Sequence, residues 1–376
     1  MTRPLPRFFL LLGIFIALSA AGCTSATPAP IAQPAIVSTL APTSTSTPSP
    51  TSTAEPTAPP TLTATPSPTA TLRPTATPTL KAIANGTIAR QHLQALSETI
   101  GARVAGTPQE TQAARYIQTA LQKLGYLPQL QSFSVTARVN RAKTTFNSAN
   151  VIAVKPGLSN SVIIVGAHYD STDDGKGADD NASGVAVMLE TAEKVKNIQT
   201  PYTIRFIAFG SEEIDLNGSR YYVDQLSETD KQNTVGMINL DSLIAGDITY
   251  VYGDAGSARS IRDWILKTAG ASFQLETRPV KDLDAPDGTP CDCADYGPFQ
   301  AAGIPFAYFE ATNWNLGKKD GYTQVNLQLG KRGEIWHTEY DNLGYIESTF
   351  PGRIDQHLNQ FVALLYDMLT QFKVPR

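Results

Sequence analysis

The chain has 376 residues, three cysteines and a formal net charge of −4, and no basic block interrupts it. Phosphate backbones need a concentrated Lys/Arg face, so nucleic acid is disfavoured as a partner. Once the first 80 residues are set aside, residues 81–376 remain, a length that suits one large α/β domain better than two small ones.

Arg3 and Arg7, the apolar run of residues 8–17, and Ala20, Ala21 and Gly22 before Cys23 form charged, hydrophobic and cleavage regions in that order. This is the layout of an export signal, and the run is shorter than the roughly 20 residues a membrane span needs. A cysteine directly after small residues resembles the lipobox of bacterial lipoproteins, which implies residues 1–23 as a signal and Cys23 as the lipidated first residue of the mature chain. Ala20 stands where Leu or Val is more usual, so simple cleavage and a secreted product is the alternative. Residues 24–80 are dominated by Thr, Pro, Ser and Ala, and up to residue 79 their only charges are Glu55 and Arg73. Such a segment cannot bury a core and reads as a disordered, semi-rigid stalk.

Within residues 81–376 the apolar spacing predicts a helix near residues 88–100 and another over 109–124, where Ala113, Tyr116, Ile117, Leu121 and Leu124 share a face before Gly125. Residues 132–139 and 150–154 read as a hairpin or neighbouring strands, and residues 161–167 as the central buried strand. A helix starting near Ser183 carries Val185, Met188, Leu189, Ala192 and Val195 on one stripe. Strands over 203–209, 235–240 and 304–309 alternate with helices over 218–226, 260–267 and 354–368. That alternation predicts an α/β fold, a mostly parallel mixed sheet with helices on both faces. Cys291 and Cys293 lie close together in an exported chain and read as a disulfide or as two free thiols.

The chemistry gathers where the strands end. The central strand leads into His168-Tyr-Asp170 and an acidic, glycine-rich loop that reaches Gly184. Alone, this loop is a metal site, a calcium loop or a solvated turn. The next strands also end in acids, Glu212 and Glu213 after one and Asp241 after the other, and His337 precedes the last helix. Adjacent carboxylates in a dry cleft push one another's pKa upward unless cations stand beside them, and two divalent metals remove that conflict.

The series His168-x-Asp170, Gly177-Ala-Asp-Asp-Asn-Ala-Ser-Gly184, Glu212-Glu213, Asn239-Leu-Asp241 and His337-Thr338 resembles the co-catalytic di-zinc peptidases. That family includes the secreted bacterial leucyl aminopeptidases, with glutamate carboxypeptidase as a relative. Arg103-Val-Ala-Gly-Thr107 and Gly303-Ile-Pro305 are similar flanks without direct chemistry. The resemblance implies a zinc exopeptidase fold and two Zn²⁺ per chain, other divalent metals being the alternative. His168 and Asp241 would hold one metal, Glu213 and His337 the other, and Asp180 would bridge them, followed by a cis peptide. Asp170 would orient the His168 ring. Glu212, left over, would be the general base. Tyr296 falls in a loop that the family places beside the substrate and would donate to an oxyanion. The function implied is removal of N-terminal residues from peptides at the cell surface. Carboxypeptidase or dipeptidase activity is the alternative, and glutaminyl cyclisation or a non-catalytic binding module stands further off.

Overall fold

The protein is described here by a computed structural model covering residues 84–139, 142–254, 260–278, 293–314 and 334–373. The signal, the stalk, Cys23 and Cys291 lie outside the described residues, while Cys293 is disulfide-bonded.

The sheet is built outward from a strand that is buried at every position, Val162–His168. Its run Val162-Ile163-Ile164-Val165 favours an extended backbone, because branching at Cβ is best accommodated on a pleated surface. In chain order the strands are β1 (Gln129–Val139), β2 (Ala142–Lys155), β3 (Val162–His168), β4 (Thr203–Phe209), β5 (Thr234–Leu240), β6 (Ile248–Gly253) and β7 (Phe306–Thr312). They lie side by side as β1-β2-β4-β3-β5-β7-β6. β4, β3, β5 and β7 are parallel, and the hairpin β1–β2 and strand β6 close the two edges antiparallel.

This mixed sheet is the expected architecture with two additions. β2 begins eight residues before the strand read from the sequence, because residues such as Thr145 and Asn147 continue the hairpin through polar cross-strand bonds to Thr136 and Ser134. β6 was missed, although its run Ile-Thr-Tyr-Val-Tyr between Asp247 and Gly253 is rich in the branched and aromatic residues that favour strands.

Helix α1 (Thr87–Gln94) runs on as a π-helical segment, Ala95–Ile100, and α2 (Pro108–Lys123) follows. α3 (Ser183–Val195) is apolar on nearly every side, with 11 of its 13 residues buried. It is hydrophobic all round because it lies between the sheet and two outer helices, α1 and α9 (Arg353–Gln371). The one acid buried on α3, Glu190, accepts the Gly86 and Ala89 amides at 3.0 and 2.7 Å. It thereby caps the start of α1, whose own N-cap residue, Gly86, has no side chain to do so. The other face of the sheet carries α4 (Asn217–Asp224) and, after the short helices α5 (Glu228–Asn233) and α6 (Ile261–Ile265) in the chain, α7 (Tyr296–Ala301), over an aromatic cluster that includes Phe209, Tyr222, Tyr252, Phe299 and Tyr308.

α3 links β3 to β4, yet β5 falls on the other side of β3. The winding therefore reverses at β3. In an open α/β sheet the carboxyl ends of the strands at such a reversal form the crevice in which ligands sit.

Candidate metal centre

That crevice holds the sequence-predicted cluster. His168 is the last residue of β3, Asp241 follows β5, and Glu212 and Glu213 lie just after β4. Asp180 comes from the turn Ala178–Ala182 that leads into α3, and His337 from the loop before α8 (Leu343–Thr349). Asp180 faces both histidines. Its Oδ1 lies 3.0 Å from His168 Nε2 and its Oδ2 lies 3.2 Å from His337 Nε2. Asp241 Oδ1 completes the first half at 3.4 Å from His168 Nε2, and Glu213 Oε2 the second at 2.8 Å from His337 Nε2. Glu212 Oε2 is more distant, 3.9 Å from His168 Nε2.

Two sets of donor atoms lie close enough to hold a cation, His168 with Glu212 and Asp241, and His168 with Asp180 and Glu213. The donor chemistry fits divalent zinc, which takes imidazole nitrogen and carboxylate oxygen. Glu213 Oε1 supports the fit, since it is buried with no hydrogen-bond partner among the described residues. So do the protonation energetics. Burial, reinforced by the Asp180 charge, pushes Glu213 up to about 7. Glu212 is driven well above the ordinary glutamate range by burial and by Asp295, Glu213 and Asp241, against the pull of His168. Burial lowers the His168 imidazole, but the surrounding carboxylates outweigh it and hold the ring well above its ordinary value. His337 is pushed up to about 11 in the same way, by Asp180 and Glu213 over the opposing effect of burial. The raised acids, Glu212, Glu213 and Asp241, are relieved by a cation at these positions, whereas Asp180, despite its burial, is already held below the ordinary range by the two histidines.

The backbone around Asp180 is fixed by a buried network. The Asp180–Asn181 peptide is cis, as expected. Asn181 accepts the Gly184 amide at 2.9 Å and donates to the Leu240 carbonyl at 2.8 Å. A Cβ on Gly184 would stand 2.5 Å from both the Asn181 Oδ1 and the Leu240 oxygen, so only glycine lets this turn seat against β5. Asp179 accepts the amides of Ile244 and Ala245. Asp341 is 2% exposed and receives the Asp179 and Asp180 amides, one on each oxygen, at 2.6 and 3.2 Å. Since the Asp341 carbonyl also accepts the Lys176 amide, the loop carrying His337 is tied to the loop carrying Asp180.

Two expectations meet a different geometry. Asp170 Oδ1 is 3.6 Å from His168 Nδ1, too long for a hydrogen bond. Its oxygens instead accept the Glu212 and Glu213 amides at 3.0 and 3.1 Å, which fixes the turn carrying both glutamates. Tyr296 is 0% exposed, its ring stacked on Phe306 at 4.3 Å and tilted against Tyr308. Its ring is enclosed in the aromatic cluster of the sheet face. Of the other buried charged residues of the region, Asp341 carried no signal in the sequence, whereas Arg103 lies in a flank and Asp295 in a loop that resemble the family's; burial pushes Asp295 up to about 7.

Known proteins agree with this geometry. The model of Peptidase family M28 matches residues 150–362, a span that includes every residue of the cluster. The alkaline phosphatase isozyme conversion protein of Escherichia coli is 34% identical over 76% of this chain and 90% of its own. Aminopeptidase YwaD of Bacillus subtilis is 30% identical over 63% of this chain and 48% of its own, and the probable lipoprotein aminopeptidase LpqL of Mycobacterium tuberculosis 32% over 69% and 52%. The chain thus spans about half the length of these last two. Among solved structures, the zinc aminopeptidase BSAP of Bacillus subtilis superposes with a TM-score of 0.60 at 20% identity, covering 79% of this chain and 98% of that one. The glutaminyl cyclase of Porphyromonas gingivalis gives 0.57 at 20% identity over 76% and 98%. The fold is therefore common to both chemistries, and it is the sequence likeness, extending through all the strand ends of the crevice, that places this chain in Peptidase family M28.

Proposed function

We propose that the chain is a two-metal aminopeptidase that removes N-terminal residues from peptides. The observation that carries this is the position of Asp180, one carboxylate oxygen toward each of two imidazoles. His168, Asp180 and Asp241 would hold one zinc, and Asp180, Glu213 and His337 the other. When bound, the ions supply Lewis acidity toward the scissile carbonyl and make water acidic enough to attack near neutral pH.

The protein's own residues do the rest. Glu212, the acid farthest from the imidazoles, accepts the proton of the attacking water and delivers it to the leaving amine. Asp170 holds Glu212 and Glu213 in fixed relation through their amides. Two half-sites that share Asp180, one with His168 and Asp241 and the other with Glu213 and His337, favour two metals over the single metal of a cyclase, and relatives named as aminopeptidases favour the amino end of the substrate over the carboxyl end.

Aminoacyl anilides, N-blocked peptides and peptides ending in glutamate, each assayed with added zinc, separate the alternatives. Cleavage of the free anilides alone is expected, and release of C-terminal glutamate from blocked peptides would overturn the assignment. For location, we propose export and lipid attachment at Cys23. No helix among the described residues is long and apolar enough to cross a membrane; the anchor proposed is a lipid at Cys23. Cys23→Ser should release active enzyme or leave an unprocessed precursor. Wild-type protein already free in the medium, with its first residue inside the stalk, would rule out the anchor.

A further inference from the structure

Among the described residues Arg103 heads the fully buried side chains, 0% exposed, and the bonds its guanidinium makes with them all go to backbone carbonyls. Nε reaches the Tyr169 oxygen at 2.6 Å, and Nη2 the Gly177 oxygen at 2.8 Å. Nη1 is shared among the carbonyls of Lys176 at 2.8 Å, Gly101 at 3.0 Å and Leu96 at 3.3 Å. Its own amide donates to Ser171 Oγ at 2.9 Å. Burying a cation is costly unless it is fully hydrogen-bonded, and doing so beside a site for divalent cations adds repulsion. Burial lowers the group to about 10, with Asp341, Asp170, Asp180 and Glu213 opposing that fall, so it stays charged at neutral pH.

The carbonyls it gathers explain the arrangement. Tyr169 lies between His168 and Asp170, and Gly177 opens the turn that delivers Asp180. Arg103 therefore closes the loop of residues 169–177 at both ends. Gly177 fits this clamp closely: its φ is +56°, and a Cβ there would stand 2.7 Å from Arg103 Nη2 and 2.6 Å from the Asp180 carbonyl oxygen. Only a planar fork with five donors spans these carbonyls, since the three donors of a lysine sit on one rotating nitrogen.

We propose that Arg103 is a positioning residue that sets the separation of His168 and Asp180 and so preforms the site for a divalent cation. The proposal rests on the two-metal reading above.

The test compares Arg103→Lys with Glu190→Gln, which loosens the buried cap of α1 away from the crevice. Each protein is stripped with a chelator and reloaded. Zinc stoichiometry and affinity are read by competition with a chromogenic chelator, site geometry from the visible spectrum of the cobalt(II)-loaded protein, and stability from the thermal midpoint of the metal-free form. Arg103→Lys should weaken zinc binding by about 10-fold or more, as loss of a residue supporting the ligands does elsewhere, and should change the cobalt spectrum. Glu190→Gln should lower the midpoint while leaving affinity and spectrum as in the wild type. Wild-type affinity and spectrum in Arg103→Lys would overturn the proposal, and so would equal weakening in Glu190→Gln. If Arg103→Lys does not fold, Ser171→Ala, which removes the bond to the Arg103 amide, carries the same measurement. A several-fold loss supports the clamp, and unchanged affinity refutes it. Wild-type protein that takes up no zinc would instead sink the two-metal reading itself.

Discussion

At the scale of single residues, adjacent glutamates are assigned different work, and the difference is measurable. Glu212→Gln leaves the carboxylates nearest the histidines in place and removes only the group that takes a proton, so metal content should hold while turnover falls by roughly 10²- to 10⁴-fold. Glu213→Gln removes the oxygen 2.8 Å from His337 Nε2 and should weaken zinc binding first. Metal analysis beside the kinetics of both variants checks the division, and identical behaviour would refute it. Away from the crevice, His357 is buried with Nδ1 3.0 Å from the Leu243 carbonyl, and burial, with Arg353 adding to it, lowers the ring to about 4. Between that value and an unfolded one of about 6.5, the unfolded chain holds a proton that the folded chain lacks, so this group's contribution to stability falls as pH drops through the window. The full depth is about 3 kcal/mol. His357→Asn keeps a donor toward Leu243, and urea melts from pH 7 to pH 4.5 should show the wild type losing more stability than the variant; parallel slopes would argue against a neutral buried ring. The residues that hold the ligands were less legible than the ligands themselves. His168, Glu212, Glu213 and Asp241 stand at strand ends, where periodicity and composition point together. Asp341 meets Asp179 across 162 residues of sequence, and no local pattern marks such a pairing.

At the scale of elements, the sequence located the buried strands and helices because one period dominated each. β3 is continuously apolar, and α9 buries Ile354, Leu358, Phe361, Val362, Leu365 and Met368 along one stripe. It was weakest where side chains and backbone serve different partners. The polar part of β2 pairs only with β1, and β6 is an edge strand whose tyrosines stack on one another and on Tyr308 rather than alternating cleanly with solvent. The start of α2 was displaced by one residue, to Pro108: the cap is Thr107, whose Oγ1 accepts the Glu110 amide at 3.3 Å while Glu110 Oε2 accepts the Gly106 amide at 2.6 Å. This reciprocal arrangement with Pro108 at the first helical position predicts a cost of about 1 kcal/mol for Thr107→Ala and little for Thr107→Ser in urea unfolding. Equal stability of all three proteins would mean that the cap contributes nothing.

For the folded part taken whole, the question is whether the metals hold the fold or only complete the site. The ligands sit at the carboxyl ends of β3, β4 and β5 and in two loops, whereas the apolar core lies below them, between the sheet and α1, α3 and α9. Parallel strands buried on both faces, with a helix as enclosed as α3 against them, form a core large enough to stand without cations. Chelation should therefore abolish activity reversibly and leave the far-UV circular dichroism unchanged. The thermal midpoint should fall, because zinc binds only the folded chain and its removal withdraws about 2.7 kcal/mol for each site held at 100 times its dissociation constant. Phe361→Ala tests the other layer. Its ring is 1% exposed and meets Phe309 of β7 edge-on, so the substitution should cost about 3–5 kcal/mol. That loss should be the same in metal-free and zinc-loaded protein, since the cavity opens in the core and not at the ligands. If chelation collapsed the far-UV signal, or if Phe361→Ala lost its effect once zinc was removed, site and core would be one cooperative structure, and the separation of the two layers would be wrong.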